Sequence, residues 1–164
     1  SLKSELWCRG CKFHESPEEK DETDLELALL WVTEIYSDSE EVEQIVILGA
    51  LGGRPDQELA NLLLLALPEL EGWDVLLADK AWEIRLIRGG EELELSGQPG
   101  DRLSLIPLGG TAEGIETSGL AYTLASEPLL FGPARGVSNR LESSNASVRL
   151  AKGKLWCFHE HPSE

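Results

Sequence analysis

Methionine is absent from all 164 residues, position 1 included. The chain therefore reads as one that does not open at its own initiator, a fragment or a processed form. Basic residues are scarce: 14 Lys and Arg against 30 Asp and Glu leave a net charge of −16. That balance excludes non-specific attachment to nucleic acid, whose phosphates need Lys and Arg. It leaves room for a nucleotide, because a divalent cation can bridge carboxylates to phosphates. Long hydrophobic runs are missing too. The longest, Leu62-Leu63-Leu64-Leu65-Ala66-Leu67, stops at Pro68 and falls short of the roughly 18 residues of a membrane span. No basic segment precedes an apolar one at the N-terminus, so no secretory signal is read and cytoplasm is the expected location. Cysteine is sparse: Cys8 and Cys11 form one C-x-x-C with His14 after it, and Cys157 is trailed by His159 and His161. These are zinc-type ligands, but without a second close pair the expectation is reduced thiols in a reducing compartment.

What is present suffices for real cores: 41% of the residues are hydrophobic, in a length that holds one large domain or two small ones. Leu2 to Arg9 read as a helix closed by Gly10, and Cys11 to Glu15 as a short strand. Thr23 or Asp24 caps a helix running to about Tyr36, whose apolar residues go nearly all round and predict packing on more than one side. Ile45 to Leu48 is a continuous apolar run, as in a strand buried on both faces of a parallel sheet. Glycines follow, then Pro55 at a first-turn helix position, a helix ending before Pro68, and a strand over Asp74 to Ala78. This order predicts an α/β, Rossmann-like N-terminal domain with a partial parallel sheet and right-handed crossovers, over residues 1–79.

Beyond Asp79 the pattern turns to alternation and turns. Ala81 to Ile87 and Glu91 to Leu95 read as a hairpin across Arg88-Gly89-Gly90. Arg102 to Leu108 is a strand, with short ones at 112–116, 120–125, 145–150 and 154–159. Residues 80–164 are thus expected to form an antiparallel β domain, a sandwich or a barrel.

Two segments carry chemistry. In Gly49-Ala50-Leu51-Gly52-Gly53-Arg54-Pro55-Asp56-Gln57, a buried strand runs through a glycine turn into a helix. The end of such a strand is where ligands sit in open α/β sheets, and Arg54 suits phosphate oxygens. Gln57 and Asn61 share a helix face, with Asp56 beside them in the first turn. The segment is neither a P-loop nor a G-x-G-x-x-G turn; its structural alternative is a capped turn with Asp56 favoured by the helix dipole. Lys20-Asp21-Glu22-Thr23-Asp24 leads into the preceding helix. Asp21 and Asp24 are spaced to share one metal or its waters, and Thr23 can cap the helix or meet a phosphate; taken alone, this is a common N-cap.

Together with Gly136-Val137-Ser138-Asn139 near the C-terminus, the ordered set K-D-x-T-D, G-x-x-G-G-R-x-D-[HQ]-x-x-x-N and S-N resembles that of the thiamine pyrophosphokinase family, over nearly the whole chain. The resemblance implies transfer of diphosphate from ATP to thiamine, giving thiamine diphosphate and AMP, with Mg2+ as cofactor. It implies Asp24, Asp56 and Arg54 as catalytic residues and Asp21, Thr23, Arg54, Gln57 and Asn61 as ATP-binding ones. Asp21, Asp24 and Asp56 would handle the metal, and Ser138, Asn139, Thr117 and Ser118 would contact thiamine. It further implies residues 1–79 as the ATP-binding catalytic domain and 80–164 as the thiamine-binding domain. The active site would lie at the interface of a homodimer, with neither nucleic acid nor membrane as partner. Two departures stand out. Gln57 occupies a position that is His in many members. The family's upstream G-D-x-D-S segment is not in this sequence, so the chain reads as a member without that N-terminal part. Trp82 and Trp156 are candidates for stacking on thiamine and equally for core. The rival reading is a non-catalytic ligand-binding or interaction protein that keeps the fold. A carbohydrate-binding β-sandwich would leave both N-terminal motifs idle.

Overall fold

The computed structural model describes residues 2–13, 15, 19–37 and 42–161. Its first helix, α1 (Leu2–Cys8), ends where predicted: Gly10 adopts φ 85°, and the Gly10 and Cys11 amides donate back to the carbonyls of Trp7 and Leu6. Helix α2 (Asp24–Tyr36) starts at Thr23, whose Oγ1 accepts from the Glu26 amide at 3.2 Å. Strand β1 (Gln44–Leu48) leads through the glycine turn into α3 (Pro55–Leu64), with Pro55 at its first position. A short 3-10 turn (Pro68–Leu70) precedes β2 (Asp74–Asp79). Eight strands follow: β3 (Trp82–Arg88), β4 (Glu92–Ser96), β5 (Arg102–Pro107), β6 (Ala112–Ser118), β7 (Ala125–Leu129), β8 (Asn139–Arg140), β9 (Asn145–Lys152) and β10 (Lys154–Glu160). Among the described residues no helix is long and apolar enough to cross a membrane.

The strands make two sheets. One is mixed and six-stranded, in the order β1-β2-β3-β10-β5-β8, with β1 and β2 parallel and the other pairs antiparallel; the second is antiparallel, β4-β9-β6-β7. Side-chain alternation gives the first sheet two faces. One face, with Ile45, Ile47, Leu77, Ile84 and Trp156, packs with the helical segments through Leu29, Leu65 and Leu70. The other, with Ile87, Leu103, Leu105 and Leu155, meets Ile115, Val148 and Leu150 of the second sheet. The result is a mixed sheet with helices, plus an antiparallel sheet. The six-stranded sheet runs without a break across residue 79, because β2 turns back into β3.

Several expectations are corrected. Val46 and Leu48 are 48% and 75% exposed, so β1 is buried on one face only. It sits at the edge of its sheet, and the second sheet covers the inner face only from β3 onward. Helix α2 is most deeply buried on the side of Leu29, while Leu27, Leu30 and Trp31 are half-buried and Ile35 is exposed. The described residues of Cys11–Glu15, 11–13 and 15, belong to no strand. Among the described residues there is thus no first αβ step, and β1-α3-β2 is the single parallel crossover.

β3 and β4 do not form a hairpin. Both edges of β3 are taken, by β2 and β10, and a strand has only two edges. The linker instead bonds across to the other sheet, Gly90 N–H donating to the Leu150 carbonyl at 2.8 Å. The strand expected at 120–125 lies instead at Ala125–Leu129, and residues 120–124 contribute only a bridge between Leu120 and Leu141. Pro128 hides β7 from a propensity reading. Its missing N–H is tolerated because β7 is an edge strand.

Candidate active site

The glycine turn stands at the C-terminal end of β1, held open by side chains rather than by its own backbone. Glu58 Oε1 accepts from the amides of Gly52 (2.9 Å) and Gly53 (2.7 Å), and Asn61 Nδ2 donates to the Ala50 carbonyl at 2.8 Å. A carboxylate thus already fills the kind of amide pocket an anion would take. Glu58 was not singled out from the sequence; an acid in the first turn after Gly-Gly was its only signal. Asn61 acts as a strap on the turn.

Arg54 and Asp56 stand exposed beside the turn and form a bidentate pair, Nε to Oδ1 at 3.1 Å and NH2 to Oδ2 at 2.6 Å. The guanidinium holds the Asp56 carboxyl below the usual carboxylate range, and the same bond raises Arg54. Gln57 is exposed on the first turn of α3. At the start of α2, Asp21, Thr23 and Asp24 are exposed, with Asp24 ion-paired to Lys20. Asp21, Asp24 and Asp56 do not converge: among the described residues, the one trio of metal-type ligand atoms lying within 4.8 Å of one another is Glu83, His159 and His161.

A cleft of about 620 Å³ opens in the second half, lined among others by Leu105, Tyr122, Leu124, Arg135, Ser138 and Asn139. Its wall is built by close backbone approach. Gly136 packs so tightly that a Cβ there would lie 2.1 Å from the Leu105 carbonyl oxygen. Its own carbonyl accepts from Leu105 N–H at 2.8 Å. Ser138 takes a left-handed φ of 66° and its amide donates to Ser104 Oγ. Asn139 clamps the facing loop: its Oδ1 accepts from the Tyr122 amide (3.0 Å) and its Nδ2 donates to the Tyr122 carbonyl (2.7 Å).

Thr117 and Ser118 do not line this cleft. Thr117 Oγ1 is engaged by the Leu124 amide at 2.8 Å, and Ser118 Oγ by Ser147 Oγ. No Trp lines it either, and Trp156 belongs to the helix-side core. The aromatic at the cleft is Tyr122, exposed in the loop before β7, where no local signal marks it apart from the Trp candidates. Of the zinc-type set, Cys8 and Cys11 are exposed while Cys157 is buried in the core between the sheets, and His14 lies outside the described residues.

The glycine turn and the cleft share one end of the six-stranded sheet. A single cross-strand row runs Leu48, Ala78, Glu83, His159, Leu103, Asn139. The turn follows Leu48 at one edge, and Asn139 lies at the other. Five inter-strand steps of about 4.8 Å set the two edges roughly 24 Å apart.

Two family models match the chain. "Thiamin pyrophosphokinase, catalytic domain" covers residues 2–77, and "Thiamin pyrophosphokinase, vitamin B1 binding domain" covers residues 91–155. The chain is 32% identical over 137 residues to the thiamine pyrophosphokinase of Bacillus subtilis, spanning 84% of this chain and 62% of that protein. It is 31% identical over 152 residues to thiamine pyrophosphokinase 1 of Arabidopsis thaliana, spanning 90% of this chain and 56% of that one. The chain thus spans between about half and two thirds of the length of these relatives. The crystal structure of the Bacillus subtilis thiamine pyrophosphokinase superposes with a TM-score of 0.77 at 28% identity, over 88% of this chain and 66% of that one. With both models of one family laid consecutively along it, and with relatives and fold in agreement, this chain belongs to the thiamine pyrophosphokinase family.

Proposed function

We propose that this protein transfers the diphosphate of ATP to the hydroxyl of thiamine, giving thiamine diphosphate and AMP. The reading rests above all on one observation: a phosphate-type turn with an exposed Arg54 and a separate organic-ligand cleft open at the same end of one sheet. The thiamine oxygen attacks the β-phosphorus, the bond from that phosphorus to the oxygen bridging to the α-phosphorus breaks, and AMP leaves. The hydroxyl proton passes to a carboxylate of the Asp21, Asp24 and Asp56 group. No covalent enzyme intermediate is needed, so the protein's contribution is position and charge.

Arg54 meets the phosphate oxygens after exchanging its bond to Asp56 for them, as its exposed position permits. Asp21, Asp24 and Asp56 are exposed oxygen donors that do not form a closed cage. Their chemistry fits Mg2+, which binds through one or two carboxylates with substrate phosphates and retained water. When bound, Mg2+ neutralises charge developing on the phosphates. In the cleft, the Tyr122 ring offers a face to the thiazolium cation, and the strongly acidic chain favours a cationic substrate.

A hydroxyl attacks from about 3–3.5 Å, and a turn and a cleft roughly 24 Å apart in one chain cannot provide that contact. The reading therefore includes a homodimer in which the turn of one copy faces the cleft of the other, with Rossmann-like and sandwich halves contributing one side each. Use of ATP and thiamine accords with a cytoplasmic location. The test is to incubate the purified protein with thiamine, ATP and Mg2+ and resolve the products. AMP and thiamine diphosphate in equal amounts are expected. ADP with thiamine monophosphate, or no turnover with both ligands bound, would overturn the reading.

A further inference from the structure

Between the turn and the cleft, on the inner face of the six-stranded sheet, the apolar rows give way to a polar cluster that the proposed reaction does not use. Glu83 on β3 is directly opposite His159 on β10. His161 follows two residues along, so it faces the same way. Asp101, two residues before Leu103 on β5, completes the group, since Leu103 is the partner of His159 on its other side. His159 and Asp101 are each 2% exposed, while His161 and Glu83 are 36% and 34% exposed and form the outer rim.

The cluster is poorly satisfied by itself. Asp101 Oδ1, His159 Nε2 and His161 Nε2 are buried atoms without a hydrogen-bond partner among the described residues. His159 Nε2 lies 3.4 Å from Asp101 Oδ2, His161 Nδ1 3.6 Å from the same oxygen, and His161 Nε2 3.5 Å from Glu83 Oε1. Buried polar atoms left bare in this way cost stability unless something joins them. Other interactions hold them in place. The Gln98 amide donates to Asp101 Oδ2 at 2.8 Å, and Arg85 holds Glu83 through Oε2 at 2.9 Å, leaving Oε1 toward the imidazoles. Gly97 closes over them; a Cβ there would lie 2.5 Å from Asp101 Oδ2 and 3.0 Å from the His159 ring.

We propose that Glu83, His159 and His161, with Asp101 beside them, bind one divalent transition-metal ion of the Zn2+ type. Donor atoms of Glu83, His159 and His161 already lie within 4.8 Å of one another. A tetrahedral ion with ligands at about 2.0–2.1 Å draws such donors to about 3.4 Å apart, which the two half-exposed side chains accommodate by small rotations. Two imidazoles with carboxylates select Zn2+ and its first-row neighbours over Mg2+ and Ca2+, which prefer oxygen alone. The Asp101 carboxylate, within 3.6 Å of both rings, orients them. Bound there, the ion ties β3 and β10 to the turn before β5, midway along the row that joins the glycine turn to the cleft.

The test uses chelator-stripped protein carrying Cys8→Ser and Cys11→Ser, so that the exposed thiols cannot account for binding. Zn2+ is titrated against a chromophoric chelator. One ion per chain is expected, with affinity at least 10-fold weaker in His161→Ala and in the near-isosteric Glu83→Gln, both at partly exposed positions that metal-free folding tolerates. Zn2+ should raise the melting temperature of the parent and not that of the variants. Co2+ in its place should give a visible spectrum without a thiolate charge-transfer band. Absence of saturable binding in the protein carrying Cys8→Ser and Cys11→Ser, or equal binding in it and in both variants, would overturn the proposal.

Discussion

At Arg54 and Asp56 the proposed chemistry and the contribution to stability can be measured apart. Both side chains are fully exposed, so their bidentate bond is screened by water and salt. The sign of the Asp56 shift is that of a depressed carboxyl: the small stabilisation exists above its unfolded value near 3.8 and fades as pH falls through the lower folded value. Asp56→Asn should therefore leave the melting temperature at neutral pH nearly unchanged while lowering kcat by about 100-fold. A loss of activity no larger than the loss of folded protein would reduce Asp56 to a helix-start residue.

Cys157 behaves oppositely. Burial pushes its thiol up to about 12, so the neutral form is favoured in the fold. That contribution is whole below the ordinary thiol value of 9.0 and is lost as pH climbs through about 12. Native protein should show fast alkylation of exposed Cys8 and Cys11 and protection of Cys157 until unfolding. Three thiols reacting at one rate would contradict the buried placement.

At the scale of elements, the cleft exists because β5, the 136–139 segment and the Tyr122 loop are laced together at backbone distance. Gly136→Ala would drive a methyl into the Leu105 carbonyl and should cost about 1–3 kcal/mol, as overpacking does. Asn139→Ala removes both hydrogen bonds to Tyr122 and should loosen the facing loop without touching the glycine turn at the other sheet edge. Thiamine titrations should then show weaker binding with ATP binding near unchanged. Equal loss of both, or of neither, would place the thiamine site elsewhere. The glycine turn is an independent unit, held by Glu58 and Asn61 from its own helix.

For the whole molecule, the proposed reading joins the two opposite edges through a homodimer. If the turn of one copy serves the cleft of its partner, two separately impaired variants, Asp56→Asn and Asn139→Ala assayed at thiamine too dilute to fill the weakened cleft, should complement each other when mixed through subunit exchange. Random pairing places both lesions on one interface of the heterodimer and none on the other, so about one quarter of parental activity should return. No recovery, with exchange demonstrated by mass, would mean that each chain builds its own site.

The amino-acid sequence determined what depends on near neighbours. The Gly10 stop, the Thr23 cap, Pro55 opening α3 and the β1-turn-α3 passage all follow from residues within a few positions of each other. The ordered motifs were legible for the same reason and carried the family. Tertiary structure decided the rest. The 88–91 linker switches sheets because both edges of β3 were already claimed. Tyr122, rather than a Trp, faces the cleft because Asn139 of a distant strand holds its backbone. Thr117 and Ser118, adjacent to that loop in sequence, spend their hydroxyls on Leu124 and Ser147 instead. Glu83, Asp101, His159 and His161 meet only through the pairing of β10 with β3 and β5. Strand register is settled by the burial of whole faces. No local window contains that information, so the side chains it brings together cannot be read before the sheet is built.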